Sequence, residues 1–146
     1  MEELVASLHI SLANTFVMYF KAHSYHWNVE GENFSQYHNF LGELYEELHG
    51  AVDPLSERIR VIGQYSPHSL KDLLDSSTIE EDEDNPSTPN EMFQNLLDAN
   101  TKVVDSLNKL FELATEHKKQ GLADFAAGRL DVHDKHAWFL RSILKG

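Results

Sequence analysis

From Tyr37 to Ile62 an apolar residue returns every three or four positions: Tyr37, Leu41, Leu44, Leu48, Val52, Leu55, Ile59 and Ile62. That spacing marks one face of an α-helix. A stripe of about seven turns has to be covered along its whole length, and only other long helices do that economically. Three more stripes of the same period are present. Leu4, Leu8, Leu12, Phe16 and Phe20, with Ala13 and Val17 beside them, predict a helix from near Glu2 to about Asn28. Met92, Leu96, Val103, Leu107, Leu110 and Ala114 predict another, and Leu122, Ala126, Leu130, His133, Ala137, Leu140 and Leu144 the last. Four amphipathic helices in 146 residues predict an all-α four-helix bundle, a single domain over residues 1–146 with a full core.

The punctuation sets the connections. Gly31 ends the first helix and the second begins near Asn33. Pro54 lies inside the second stripe, where it removes one hydrogen bond and presses on the carbonyl of Gly50. The stripe keeps phase from Leu48 through Ile62, which predicts a continuous helix with a bend; the competing reading has Asp53 capping a new helix with Pro54 at its first position. Residues 63–87 form a long crossover punctuated by serines and prolines, with a short helical piece around Ser69 to Asp75 and an acidic run, Glu80 to Asp84, expected to be solvated. Thr88, Pro89 and Glu91 start the third helix as cap, first residue and third residue. It is expected to end at His117-Lys118-Lys119-Gln120-Gly121, cations first and then glycine, with the fourth helix running from Leu122 to about Leu144.

Beside the second apolar stripe runs a polar one: His38, His49, Asp53 and Glu57. Imidazole with carboxylate suits iron, manganese or zinc. His38 and Asp53 are fifteen residues apart, roughly 22 Å along a straight helix. They cannot hold one ion within one chain. Two unrelated sites, or a second antiparallel copy bringing its own Asp53 and Glu57 to this His38, both satisfy the spacing. His133 and His136 also resemble a ligand pair. His23 reads as a surface or packing histidine, while Trp27 and Tyr25 are either buried packing or electron donors to an oxidant.

Composition narrows the chemistry. No cysteine is present, so there is no disulfide, thiolate site or thiol redox chemistry. No signal-peptide pattern precedes the first helix and no apolar run reads as a membrane span, so a cytoplasmic protein is expected. The net charge of −12 attracts cations and opposes polyanions. No lysine or arginine occurs before Lys21, and the sequence closes at Lys145-Gly146 without a basic tail.

The run HWNVEGENFSQYHNFLGELYEELHGAVDPLSERIR, with the closing DKHAWFLRSIL, resembles the Dps family of small ferritins, and the similarity extends over nearly the whole chain. The resemblance implies a ferritin-like bundle whose crossover carries a short helix between the second and third helices. It implies twelve-subunit hollow shells of antiparallel dimers, and oxidation of Fe(II), with hydrogen peroxide or oxygen, to a stored ferric mineral. His26, His38, Asp53 and Glu57 match the family's ferroxidase ligands in type and spacing, as catalytic and metal-binding residues. The family's acid four residues after the second histidine is Gly42 here. Glu43, Glu46 and His49 are candidates to stand in for it, and Asp124 matches an acid that lines the threefold pore in some members. The resemblance also implies a structural role for the closing segment that holds His136, and so packing or hydrogen bonding for His133 and His136 instead of ligation. Zn(II) is a substitute metal for the same site. Two other functions remain open: a non-catalytic shell that protects DNA, which the charge and missing basic ends disfavour, and a bundle with a structural zinc. The expected partners are iron, peroxide and further copies of the chain, with neither DNA nor a membrane.

Overall fold

The computed structural model describes residues 1–146 and contains five helices: α1 Glu2–Asn28, α2 Phe34–Val61, α3 Leu70–Asp75, α4 Pro89–Glu116 and α5 Gln120–Lys145. The four long stripes each close into one helix, and together they bury a core of 27 apolar residues drawn from all four long helices and the crossover. α1 packs against both α2 and α4, and α4 against α5. Tyr37, at the start of α2, meets Phe93, at the start of α4, with ring centroids 4.8 Å apart. The two helices therefore begin at the same end of the bundle and run parallel, as a long crossover requires. α5 runs back against α2: Phe40 stacks on Phe139, and the Arg58 guanidinium lies 3.7 Å over the Phe125 ring.

By length and composition alone, α1 is long and apolar enough to cross a membrane. The expectation that no stretch would qualify is corrected on that point. The reason is its place in the bundle. A helix covered on several sides carries apolar residues around more of its circumference than a surface helix does. Its buried residues include Leu4, Leu8, Leu12, Met18 and Ala22, but also Ser7, Ser11, Asn14, Thr15 and Lys21.

Polar anchors on α1 hold the crossover. The buried Asn14 amide accepts from the Thr78 N–H (2.8 Å) and the Ser77 hydroxyl (3.0 Å), and donates to the Thr78 hydroxyl (2.9 Å). Two turns on, the Lys21 ammonium donates to the Asp82 carboxylate (2.9 Å) and the Glu80 carbonyl (3.1 Å), and the Tyr25 hydroxyl donates to the other Asp82 oxygen (2.5 Å). Burial first, and then the bond to Asp82, push the Tyr25 phenol pKa up. Asp82 thus corrects the view of residues 80–84 as purely solvated: one carboxylate of the run ties the crossover to the bundle.

α2 is continuous through Pro54, so Asp53 does not cap a new helix. Two helix ends close alike. After α2, Gly63 takes a positive φ of 89°, its N–H reaching Arg60 O and that of Gln64 reaching Ile59 O. After α4, Lys118 takes φ 57°, with the Lys118 N–H on Thr115 O and the Lys119 N–H on Ala114 O. Both are Schellman closures. At the second the left-handed residue is a lysine, and the expected terminator Gly121 instead lies in the first turn of α5. Thr88 caps α4 as expected, accepting from the Glu91 N–H (3.2 Å), while Glu91 reaches back to the Ser87 N–H (3.0 Å).

Candidate metal centre

The last turn of α1 and the first turns of α2 bring His26 and His38 together. Their rings stack with centroids 3.7 Å apart, 19° from parallel. Each Nδ1 lies 2.7 Å from the other residue's backbone carbonyl, His26 to His38 O and His38 to His26 O. A carbonyl only accepts, so both Nδ1 atoms carry the proton and both Nε2 atoms keep a lone pair. Fixing the tautomer through one ring nitrogen leaves the other ready as a ligand.

Gly42 sits against this pair. A Cβ built on it would lie 3.1 Å from His26 Cε1 and 3.3 Å from His26 Nδ1. A side chain at position 42 would begin tight against the imidazole, which would have to give by a few tenths of an ångström. The missing acid is therefore linked to how His26 packs.

Asp53 and Glu57 lie fifteen and nineteen residues beyond His38 on the same helix, roughly 22 and 28 Å along its axis, and they do not reach these rings. They lie together on the exposed face of α2, one turn apart. The Glu57 pKa is raised, first by a hydrogen bond to Asp53 and then by its negative charge. Two carboxylates held this close repel each other when both are ionised, and a cation relieves that repulsion. Within the chain no three His, Asp or Glu side chains approach closely enough to hold a metal. Glu43 and Glu46 are exposed on α2, and His49 lies against the Tyr19 ring at 4.8 Å rather than beside His26. Asp124 is exposed near the start of α5.

The chain matches the ferritin family, described as a ferritin-like domain, over residues 5–146. It is 32% identical over 145 residues to the DNA protection during starvation protein of Brevibacillus brevis, covering 99% of this chain and 97% of the relative. The crystal structure of Dps from Staphylococcus aureus superposes with a TM-score of 0.92 at 30% identity, covering 99% and 96% of the two chains. The chain is a Dps-family miniferritin. A Dps protein from Vibrio cholerae, described as belonging to a broad superfamily of ferritin-like diiron-carboxylate proteins, superposes equally well, with a TM-score of 0.92 at 28% identity over 98% of this chain and 89% of that one.

In this miniferritin the other histidine pair is structural. The Glu47 carboxylate of α2 accepts from Arg129 Nη1 (2.5 Å), Arg129 Nη2 (3.1 Å) and His136 Nε2 (2.7 Å) of α5. Arg129 Nη2 also donates to His133 Nε2 (3.1 Å), and His133 Nδ1 donates to the Asn100 side-chain oxygen of α4 (2.7 Å). Burial alone would raise the Glu47 pKa; the bonds from His136 and Arg129 outweigh it and hold the carboxyl at about 2. Burial, then the Arg129 and His136 charges, push His133 down to about 3. Glu47 was not singled out from the sequence. The signal was its position three residues after Leu44 and one before Leu48, at the margin of the buried stripe.

Proposed function

We propose that this miniferritin oxidises Fe(II) at sites shared between two antiparallel copies and stores the ferric product inside a hollow shell of twelve. The observation that carries the reading is the His26–His38 pair, two imidazoles whose Nδ1 protons are committed to carbonyls and whose Nε2 lone pairs are free. Asp53 and Glu57 of a twofold-related copy supply the oxygen ligands, since this chain's own pair lies too far away. Nitrogen and carboxylate together bind Fe(II), and the carboxylates stabilise the Fe(III) product. Peroxide takes one electron from each of two ferrous ions, giving two ferric ions and two hydroxides and releasing no hydroxyl radical. Iron is the substrate, Zn(II) a non-redox occupant of the same ligands, and the cytoplasm the compartment. With −12 formal charges per chain, the shell attracts cations and repels duplex phosphates.

A stopped-flow assay of Fe(II) with hydrogen peroxide tests this. The wild type is expected to oxidise iron without plasmid retardation at about 150 mM salt, and His38→Ala to lose at least tenfold in rate. Wild-type oxidation no faster than in His38→Ala would refute the reading, and a plasmid shift would favour DNA protection instead.

Gly42 makes a separate prediction. Since a Cβ there must displace the His26 ring, Gly42→Ala is expected to weaken Zn(II) binding roughly tenfold, as loss of a ligand-orienting contact does. Calorimetric titration giving wild-type affinity would show that the ring yields freely.

A further inference from the structure

Beyond the four candidate ligands, α1 and α2 share a continuous run of rings. His26 meets Tyr45 edge-on at 5.1 Å, and Tyr45 stacks on His23 at 3.7 Å and 6° from parallel. The Tyr19 hydroxyl lies 2.9 Å from His23 Nδ1, and the Tyr19 ring is 6.2 Å from that of Tyr45. Every step from Tyr19 to His26 is a ring contact or a hydrogen bond.

This run bears on a difficulty at the site. The His26–His38 pair supplies two nitrogens, and position 42, packed on His26, supplies no oxygen. A shared centre with one ligand fewer holds its second Fe(II) weakly. Peroxide is a two-electron oxidant; meeting a single Fe(II), it takes one electron from the metal and needs one more to avoid release of a hydroxyl radical.

The geometry points to Tyr19 as the source of that second electron, with His23 as the base that takes its proton. The inference rests on the iron-oxidising reading above. A phenol gives up an electron readily only if its proton leaves at the same time, and the Tyr19 hydroxyl lies 2.9 Å from His23 Nδ1, which accepts that proton in the tautomer carrying its own on Nε2. Tyr25 is not the donor: its hydroxyl is bound to Asp82 and Asn95 on another side of α1, away from these rings. The step balances. The O–O bond breaks, Fe(II) and Tyr19 each lose one electron, and the Tyr19 proton passes to His23 Nδ1 and on to solvent. Fe(II), hydrogen peroxide and the phenol become Fe(III), hydroxide, water and a neutral phenoxyl radical. A later Fe(II), with one proton, returns the phenoxyl to phenol. Two irons are then oxidised per peroxide even when they bind one at a time.

The test uses the assembled protein, loaded anaerobically with one Fe(II) per His26–His38 pair, mixed with one equivalent of peroxide and freeze-quenched for electron paramagnetic resonance. The wild type is expected to show a phenoxyl signal whose splitting collapses in protein grown on ring-deuterated tyrosine. Tyr19→Phe keeps the ring and its packing and is expected to lose at least nine-tenths of the signal. His23→Phe keeps a ring against Tyr45, removes the base, and is expected to lose most of it. A signal that persists in Tyr19→Phe overturns the assignment. So does a signal insensitive to deuterated tyrosine and abolished by Trp27→Phe, because the Trp27 ring also lies against His23, tilted by 38° with centroids 4.1 Å apart. Iron oxidation without any phenoxyl overturns the role of Tyr19 alone, whereas absence of peroxide-driven oxidation in the wild type overturns the proposed function as well.

Discussion

Two inactive variants of this miniferritin, refolded together, are expected to regain about a quarter of wild-type iron oxidation. One carries His26→Ala and His38→Ala, the other Asp53→Ala and Glu57→Ala. Each homodimer lacks a ligand pair at both of its sites. A mixed dimer holds one site with all four ligands and one with none, and random pairing of equal amounts makes half of the dimers mixed. The expectation follows from positions fixed along α2. His38 stacks on His26 at one end of the helix, while Asp53 and Glu57 lie fifteen and nineteen residues on, and no third ligand in the chain reaches the histidines. Activity in the mixture no higher than in either variant alone would refute the shared site. Activity retained by one variant alone would show that the missing pair is dispensable.

Much of this was legible because a helix repeats. Each long stripe carries many votes for the same period, so the element order and the Thr88 cap could be read from residues alone. The stripe also kept phase through Pro54, and the helix is continuous there. What was not legible depended on a single contact between distant residues. Gly42 reads as a lost ligand until the His26 ring is found against it. Asp82 reads as one more acid in an acidic loop until Lys21 and Tyr25 are found on its two oxygens. Lys118 adopts a conformation that a glycine three residues later advertises, because where α4 runs out is decided by the packing of Leu113 and Ala114, both buried, and not by the nearest glycine. The site was half legible for a similar reason. Spacing separates His38 from Asp53, but the mutual hydrogen bonds that set both tautomers join residues on two helices.

The polar network between α2, α4 and α5 has the largest expected effect on stability. Arg129 is nine-tenths buried and its only carboxylate partner is Glu47. Removing one partner of such a pair leaves an uncompensated charge inside the bundle, at a cost of about 3–5 kcal/mol. Glu47→Ala is expected to lower stability by that amount at pH 7 and fixed protein concentration, and a loss below about 1 kcal/mol would mean Arg129 finds solvent instead. Acid should act on the same network through His133. Its two nitrogens are occupied only while the ring is neutral, Nδ1 donating to Asn100 and Nε2 accepting from Arg129; a proton on Nε2 would face a guanidinium N–H. The folded-state pKa of about 3 lies below the ordinary 6.5, so the unfolded chain takes up the proton first. The contribution is complete above pH 6.5 and is lost as pH falls towards 3. Glu47, held at about 2 against an ordinary 4.5, adds a second loss between those values. Between pH 7 and pH 4.5, where the carboxylate is still ionised in the fold, His133 alone is expected to remove roughly 2–3 kcal/mol. Denaturant midpoints at the two pH values measure this. In His133→Gln, which cannot titrate, the same pH change should cost correspondingly less, and an undiminished difference would place the acid sensitivity elsewhere in the molecule.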